Sequence, residues 1–185
     1  EETRAPRTGH RVAIVGGGPS GLTAAYFLAK YGHSPVIFEA MPCAGGMLRY
    51  GIPQYRLPKD IVRKEVELIE KMGVEIRYNT KVGRDISFEE LEKDYDAVYV
   101  AVGAWKSSSI RCKGEEHEGV FGGIDFLRAA VDNKPTGMGR RVAVVGGGNT
   151  AMDACRTAIR LGAEKVYIIY RRTQAEMPAD ELEID

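Results

Sequence analysis

The chain contains one pattern twice, and this repeat constrains its fold more than any other feature. The first copy, RVAIVGGGPSGLTAAYFLAKYGHSPVIFE, runs from Arg11 to Glu39, and the second begins at Arg141. The copies are 130 positions apart (141 minus 11), and this offset brings the triple-glycine run at 16–18 onto the run at 146–148 without a gap. Such self-similarity predicts two copies of one supersecondary unit.

Each copy predicts a strand, a glycine-rich turn, a helix and a second strand. Val12–Val15 is a continuous apolar run, which is typical of a parallel strand buried on both faces. Gly16, Gly18 and Gly21 then have the spacing of a dinucleotide-binding turn. In such turns the first glycine makes the tight bend, the second lets a pyrophosphate approach the backbone, and the third lets the helix pack closely on the strand. The helix that follows points its free N–H groups at the phosphate position.

An acid at the end of the second strand supports this interpretation. Glu39 stands 23 residues after Gly16 (39 minus 16), close to the spacing of about 20 expected for a residue that binds an adenosine ribose. The alternative is a tight turn that binds no ligand, since glycine-rich turns are common. The strand before the turn, the helix after it and the acid together favour a nucleotide site.

Composition and charge exclude several other classes. The 185 residues allow one domain or two small ones, and 44% hydrophobic with 28% charged residues is typical of a globular protein. Lys plus Arg and Asp plus Glu are 26 each, so nothing in the charge favours nucleic acid or a membrane as partner. No apolar run approaches the length of a membrane span and the N-terminus does not resemble a signal peptide, so a cytoplasmic location is expected.

The cysteines predict neither a metal site nor a disulfide framework. Cys43, Cys112 and Cys155 lack metal-ligand spacing, and there is no CxxC motif. They are 69 and 43 positions apart (112 minus 43, 155 minus 112), so no dithiol chemistry is expected. Cys155 lies in line with Ala151 and Ala158 on the predicted second helix, which favours a buried thiol.

The segment between the copies predicts further elements. A long loop rich in glycine and proline follows Glu39, and its length indicates a functional role. We expect a helix from Lys59 to Met72 and then a strand from Val74 to Tyr78. A capping box of Ser87 with Glu90 and a buried strand from Asp96 to Val102 follow. The linker is expected to contain a helix with Ile124, Leu127 and Val131 on one face. Trp105, which opens the linker, is expected to pack against protein, with stacking on a cofactor as the alternative.

The order of these motifs resembles a known family. GGGPSG, FEA with GGMLRYGIP, GVEIRYNTKVGRDIS and YDAVYVAVGAW resemble the FAD domain of class II pyridine-nucleotide flavoprotein reductases, and more narrowly the glutamate synthase small-chain family. The second copy, VAVVGGGNTAMDACRTAIRLGAEKVYIIYRR followed by EMPADE, is similar to the NADPH domain of that family. The resemblance runs from Arg11 to the end of the chain. It implies an α/β fold with two Rossmann-type FAD/NAD(P)-binding units and parallel sheets, the second unit incomplete.

The resemblance also implies site residues for both cofactors. Those for FAD are Gly16, Gly18, Pro19, Ser20 and Gly21 at the pyrophosphate, Glu39 on the ribose, Gly46, Leu48 and Ile52 along the flavin side, Val82 at the adenine, and Ala101, Val102 and Gly103 near the crossing between domains. Those for NADPH are Gly146, Gly147, Gly148, Asn149, Thr150 and Ala151 at the second turn. The physical argument by itself supports the pyrophosphate and ribose roles, and ordinary core packing is the alternative for Ile52 and Val82.

The second copy is expected to prefer NADPH to NADH. The gap-free alignment places Ile169 where Glu39 stands, so the acid that suits a ribose diol is missing. Arg171 and Arg172 follow two and three places later, where guanidinium groups suit a 2′-phosphate. A pair of solvated surface arginines is the alternative.

The function implied by the resemblance is electron transfer. NADPH would give hydride to FAD, and electrons would leave one at a time for an iron-sulfur segment or a larger catalytic subunit, with the iron-sulfur clusters outside this segment. Because the cofactors carry the chemistry, no catalytic acid or nucleophile is required. Two other classes stay open: a non-catalytic nucleotide-binding module of a larger electron-transfer complex, and a flavin monooxygenase or oxidase.

The expected domains are an FAD domain with its linker at residues 1–125 and the start of an NADPH domain at residues 126–185. The chain departs from the family in lacking a cysteine-rich iron-sulfur segment before the FAD domain, and a later part with a Gly-Asp motif that returns to complete that domain. We therefore expect the chain to be the middle of a longer polypeptide, and to be inactive in NADPH turnover when isolated.

Overall fold

The chain folds as two compact units, which a computed structural model describes over residues 5–184. The first unit is Glu1–Arg49 with Tyr55–Ala104, and the second is Tyr50–Gln54 with Trp105–Asp185. The expected boundary between an FAD domain and an NADPH domain at residue 125 stays a prediction.

The first unit is a parallel sheet with helices on both faces. Its elements are β1 Arg11–Val15, α1 Pro19–Lys30, β2 Ser34–Phe38, α2 Met47–Tyr50 (whose last residue belongs to the second unit), α3 Lys59–Lys71, β3 Glu75–Arg77, α4 Phe88–Asp94 and β4 Ala97–Val100. The four strands are parallel in the order β3-β2-β1-β4. This arrangement confirms the expected α/β class.

The central strand β1 is buried on both faces, as its continuous apolar run predicts. Val12 and Ile14 pack in a cluster with residues of α1 and α3, including Leu22 and Val66. Ala13 and Val15 point to the opposite face, where a second cluster includes Phe38, Leu91 and Tyr95. Because successive side chains of a strand point to opposite faces of the sheet, this one apolar run contributes to both core layers.

Most of the predicted elements are present, with shorter outer strands. The third strand is Glu75–Arg77 rather than Val74–Tyr78, since β3 lies at the sheet edge and, among residues 5–184, pairs only with β2. The strand expected from Asp96 to Val102 is Ala97–Val100, because Asp96 precedes the ladder and its carboxylate accepts the Arg11 N–H at 2.7 Å. The capping box is confirmed: the Glu90 N–H donates to Ser87 Oγ at 3.1 Å and the Ser87 N–H to Glu90 Oε2 at 2.8 Å.

The second unit contains the second copy of the repeat. Its elements are α5 Gly123–Val131, β5 Arg141–Val145, α6 Asn149–Arg160, β6 Lys165–Ile169, a 3₁₀ turn Gln174–Glu176 and α7 Glu181–Ile184. Within the described part of the chain, β5 and β6 form a parallel two-stranded sheet, and Val145 and Ile169 are each 52% exposed. These strands are therefore not buried on both faces as β1 is.

Two linker predictions are confirmed in the second unit. Leu127 on α5 is buried, with Ile124 and Val131 partly buried on the same helix. Trp105 packs against protein: its ring centroid lies 5.8 Å from that of Tyr50, and the Arg128 guanidinium carbon lies 5.7 Å from the Trp105 ring.

No helix within residues 5–184 combines the length and apolar character needed to cross a membrane.

Candidate nucleotide-binding sites

Three strands of the first unit end at the same edge of the sheet. Val15 pairs with Phe38 on one side and with Val100 on the other. The residues that directly follow these strands are therefore Gly16, Glu39 and Ala101, all three of which the family resemblance implies as cofactor-binding residues. In open α/β sheets, ligands bind in the crevice outside the carboxyl ends of the strands.

The first turn has no room for side chains at its first and third glycines. Gly16 has φ +108°, in the left-handed region, and a Cβ there would overlap the carbonyl oxygen of Ala101. A Cβ on Gly21 would overlap the carbonyl oxygen of Gly16. Gly21 therefore sets the close approach of α1 to the end of β1, which is the role that its spacing predicts.

Gly18, the second glycine of the dinucleotide-binding spacing, faces the loop after Glu39. A Cβ on Gly18 would lie 3.8 Å from the Gly46 Cα, whereas a Cβ on Gly46 would lie 2.8 Å from the Gly18 Cα. The Gly45 N–H donates to the Gly17 carbonyl at 2.7 Å. The two loop glycines thus let this loop pass close to the glycine-rich turn, and the role of Gly46 at a flavin stays a prediction.

Glu39 is held at the end of β2 by backbone N–H groups. Its side chain is buried, Oε2 accepts the Gly17 N–H at 2.7 Å, and Oε1 accepts the Met41 N–H at 2.7 Å. Each carboxylate oxygen has further acceptor capacity, which suits the hydroxyl groups of a ribose. A side chain at Gly17 would displace this carboxylate, because its Cβ would lie 2.9 Å from Glu39 Oε2. This role of Gly17 was not predicted from the sequence, although the run of three glycines was a signal for it.

The start of α1 offers backbone donors rather than side-chain caps. Gly18 is the N-cap residue without a side-chain bond, and Pro19 occupies the first turn. The Ser20 hydroxyl shares a hydrogen bond with the Tyr99 hydroxyl at 2.9 Å. N–H groups in the first turn of a helix lack intrahelical partners and suit an anion.

The remaining residues proposed for FAD lie in different surroundings. The Leu48 carbonyl accepts from Lys59 Nζ at 2.8 Å, and Ile52 belongs to the second unit. Val82 packs against the core cluster of Phe38 and Leu91, which is its alternative role, and it is partly exposed. Val102 and Gly103 follow β4 on the surface.

Lys59 brings a titratable charge to the glycine-rich loop. Its burial and the neighbouring Arg49 guanidinium lower the pKa of Lys59 to about 8. Because this pKa lies below the ordinary value of 10.5, the charged Lys59 destabilises the folded state most below pH 8, and this destabilisation is lost as the pH rises from about 8 to 10.5. Sequence patterns contained no signal for this contact.

The second turn repeats the geometry of the first with one change. Gly146 has φ +141°, and its N–H donates to the Ile169 carbonyl as the Gly16 N–H does to Phe38, both at 2.9 Å. Gly148 is the N-cap residue of α6, which begins with Asn149 and an exposed Thr150. Ala151 replaces the third glycine, and a Cβ built on Gly146 would lie 3.5 Å from the Ala151 Cβ, an ordinary contact.

The strand register corrects the gap-free alignment of the two copies. Phe38 pairs with Val15 in the first unit, and Ile169 pairs with Val145 in the second. Ile169 therefore corresponds to Phe38, and the residue in the place of Glu39 is Tyr170. The placement of Ile169 at that position was wrong because the connection from α6 to β6 is one residue longer than that from α1 to β2.

The acid is still missing from the second unit, and the two arginines lie closer to the position equivalent to Glu39 than the gap-free alignment placed them. Arg171 and Arg172 stand one and two places after Tyr170 and are exposed. Within residues 5–184, neither forms an ion pair or hydrogen bond. Their guanidinium groups are thus available at the end of β6.

The three cysteines form no disulfide within residues 5–184 and lie in three different environments. Cys155 on α6 is buried as expected, and this burial raises the pKa of its thiol. Cys43 is partly exposed and Cys112 is exposed. Among the described residues no group of His, Cys, Asp and Glu has the arrangement of a metal site. The absence of dithiol chemistry stays a prediction.

Comparison with known proteins places these sites in context. The family model "pyridine nucleotide-disulphide oxidoreductase" matches residues 10–184. The chain is 51% identical over 187 residues to the NADP(+)-dependent formate dehydrogenase subunit beta of Moorella thermoacetica, covering 100% of this chain and 26% of that protein. It is 39% identical over 189 residues to the glutamate synthase (NADPH) small chain of Escherichia coli K12, covering 96% and 40%. The expected resemblance to that small chain is confirmed.

A solved structure shares the fold. Mycobacterium tuberculosis FprA in complex with NADPH matches with a TM-score of 0.80 at 25% identity, covering 94% of this chain and 46% of that chain. The chain thus spans less than half the length of each of these relatives.

Proposed function

Because this chain belongs to the pyridine nucleotide-disulphide oxidoreductase family, we propose that it is the dinucleotide-binding part of an NADPH-dependent FAD oxidoreductase. The first glycine-rich turn binds FAD and the second binds NADPH. The boundary between the two domains along the chain lies between residues 125 and 126. The bound flavin would take hydride from the nicotinamide and release electrons singly. The chain's own residues bind and orient the two dinucleotides.

The observation that carries the proposal is the hydrogen bonding of the buried Glu39 carboxylate to the first glycine-rich turn. Gly17 and Met41 donate to the two carboxylate oxygens of Glu39, so the carboxylate has a fixed position beside the start of α1. One adenosine diphosphate group fits this arrangement, with a ribose hydroxyl at the Glu39 carboxylate and the pyrophosphate at the N-terminus of α1. A carboxylate repels a 2′-phosphate, so this site suits FAD better than NADPH.

The second turn supports the opposite preference. Tyr170 replaces the acid, and the exposed Arg171 and Arg172 follow it directly. The names of the formate dehydrogenase subunit and the glutamate synthase chain include NADP(+) or NADPH, and FprA was solved in complex with NADPH. These names agree with a 2′-phosphate site in the second unit.

The proposed partner is a larger assembly. The relatives are named as a subunit and a small chain, which supports a larger catalytic subunit or an iron-sulfur segment as the electron acceptor. Positive and negative side chains are balanced at 26 each, in keeping with a partner that is neither nucleic acid nor membrane, and with a cytoplasmic location.

Replacing Gly18 with valine is expected to remove bound flavin from the full-length polypeptide while the fold survives. A Cβ fits at this position, with Gly46 Cα 3.8 Å away, but the branched side chain would occupy the space that the pyrophosphate needs. Bound flavin should fall by about tenfold or more, read from the visible absorbance per protein. Gly139→Val is the matched control, because a Cβ at Gly139 meets nothing closer than 4.0 Å. Undiminished yellow colour with Gly18→Val would contradict the FAD assignment.

Residues 1–185 alone are expected not to oxidise NADPH. Within the described chain, β5 and β6 leave Val145, Ile168 and Ile169 between 42% and 52% exposed, so this unit is expected to be loose without a covering partner. The check is flavin content and NADPH-dependent reduction of several acceptors by this segment. Steady turnover with stoichiometric FAD would show that the expectation is wrong.

A further inference from the structure

In both units, the segment that follows the second strand folds back onto the glycine-rich turn. The Gly45 N–H donates to the Gly17 carbonyl at 2.7 Å, and the Ala179 N–H donates to the Gly147 carbonyl at 3.1 Å. Gly17 and Gly147 are equivalent in the repeat (147 minus 17 is 130). The same carbonyl of each turn therefore accepts the same kind of hydrogen bond, although Gly45 and Ala179 are not equivalent in sequence.

The returning segment of the second unit has two side-chain attachments. The Asp180 N–H donates to Asn149 Oδ1 at 3.0 Å, and the Tyr170 hydroxyl donates to the Glu176 carbonyl at 3.1 Å. The Tyr170 ring also lies against the turn, since a Cβ on Gly147 would be 2.9 Å from it. In the first copy, Pro19 stands at the place of Asn149 (149 minus 130) and offers no side-chain acceptor.

Packing places this segment against the first turn of α6. Ala179 is buried and clusters with Ala151 and Met152, with Met177 partly buried against them. A Cβ on Gly148 would lie 4.0 Å from Pro178 Cγ. The segment thus lies beside the helix N-terminus that offers N–H groups to a pyrophosphate.

We infer that Met177–Asp180 is the second wall of the nicotinamide-nucleotide site, and that Asn149 is a positioning residue that holds this wall to the glycine-rich turn. The inference rests on the proposed function, since it is NADPH that the site would hold. In the first unit the corresponding wall is the glycine loop at Gly45 and Gly46. The Asn149 side-chain oxygen thereby acts on the cofactor through the wall rather than by contact with it.

Two variants of the full-length polypeptide test the inference from different ends of the segment. Asn149→Ala removes the acceptor for Asp180, and Tyr170→Phe removes the bond to Glu176 while keeping the ring against Gly147. Gln174→Ala is the matched control, because Gln174 is exposed on the same segment and its side chain has no hydrogen bond within residues 5–184. The measurements are hydrogen exchange of the Ala179 and Asp180 amides without nucleotide, flavin content, and kcat and KM for NADPH.

Both variants are expected to speed exchange at Ala179 and Asp180 and to raise the KM for NADPH by about threefold to tenfold, with kcat and flavin content unchanged. Asn149→Asp keeps an oxygen acceptor and should restore slow exchange. A higher KM for Asn149→Ala with unchanged exchange, together with a normal Tyr170→Phe, would show that Asn149 contacts the cofactor directly and would overturn the inference. Failure of the unmodified protein to bind NADPH would instead overturn the proposed function, and the exchange data would still report whether Asn149 holds the segment.

Discussion

Replacing Gly21 with alanine is expected to destabilise the first unit strongly and to weaken its binding of FAD. The added Cβ would overlap the Gly16 carbonyl oxygen and would lie 3.1 Å from the Ile14 side chain, which is fully buried. Neither neighbour can yield, because Gly16 is part of the turn itself and Ile14 is a fully buried residue of β1. Relief requires α1 to move away from the sheet and to separate the cluster that includes Leu22 and Ala25.

The expected cost is about 3 kcal/mol or more, at the upper end of what overpacking a core causes. This is a large part of the typical 5–15 kcal/mol that stabilises a folded domain. The measurement is thermal unfolding of the full-length polypeptide together with its flavin content.

The second unit offers the matched control at the equivalent position. Ala151 stands there naturally, since the repeat offset of 130 carries Gly21 onto it. Ala151→Gly should lower stability by only about 1 kcal/mol, the usual difference between glycine and alanine within a helix. A Gly21→Ala protein with unchanged unfolding temperature and full flavin would show that the close approach of α1 to β1 is not required.

The double change of Arg171 and Arg172 to alanine is expected to remove the preference for NADPH over NADH. Both side chains are exposed and lie directly after Tyr170, which has the place of Glu39 in the second unit. A guanidinium bonded to a phosphate contributes about 1.5–3 kcal/mol, so loss of two such contacts should lower kcat/KM for NADPH by about 100-fold or more. The kcat/KM for NADH should hardly change, because NADH lacks the 2′-phosphate.

Net charge needs a separate control in this experiment. Lys106→Ala with Lys113→Ala removes two positive charges from exposed positions elsewhere in the second unit. This pair should leave the ratio of NADPH to NADH activity unchanged, while the arginine pair lowers it and weakens its dependence on salt. If the arginine variant kept the original ratio, the two arginines would be solvated surface residues and the 2′-phosphate site would lie elsewhere.

Local sequence patterns were sufficient for the elements that depend on neighbouring residues. The apolar run of β1, the glycine spacing of the first turn and the capping box at Ser87 each predicted a structure that is present. Glu39 was also identified from spacing alone, because the length of one strand-helix-strand unit determines which residue ends the second strand. The two copies were visible for the same reason, since each repeats one local pattern.

Contacts between distant segments were decided by the tertiary structure. One additional residue before β6 shifts the strand register, so that Tyr170 rather than Ile169 takes the place of Glu39. A gap-free comparison cannot detect this shift, because register depends on hydrogen bonds across the sheet and not on position along the chain.

What the sequence by itself determined is therefore the pair of strand-turn-helix-strand units and the acid in the first of them, since short-range spacing and hydrophobic periodicity specify these. Only the tertiary structure decided that Gly17 fixes the orientation of Glu39, and that Ala179 and Asp180 return to the second turn. Both arrangements join residues more than 20 positions apart, and in each a backbone N–H is the donor. Every residue except proline carries a backbone N–H, so residue type alone does not reveal which distant acceptor that N–H finds.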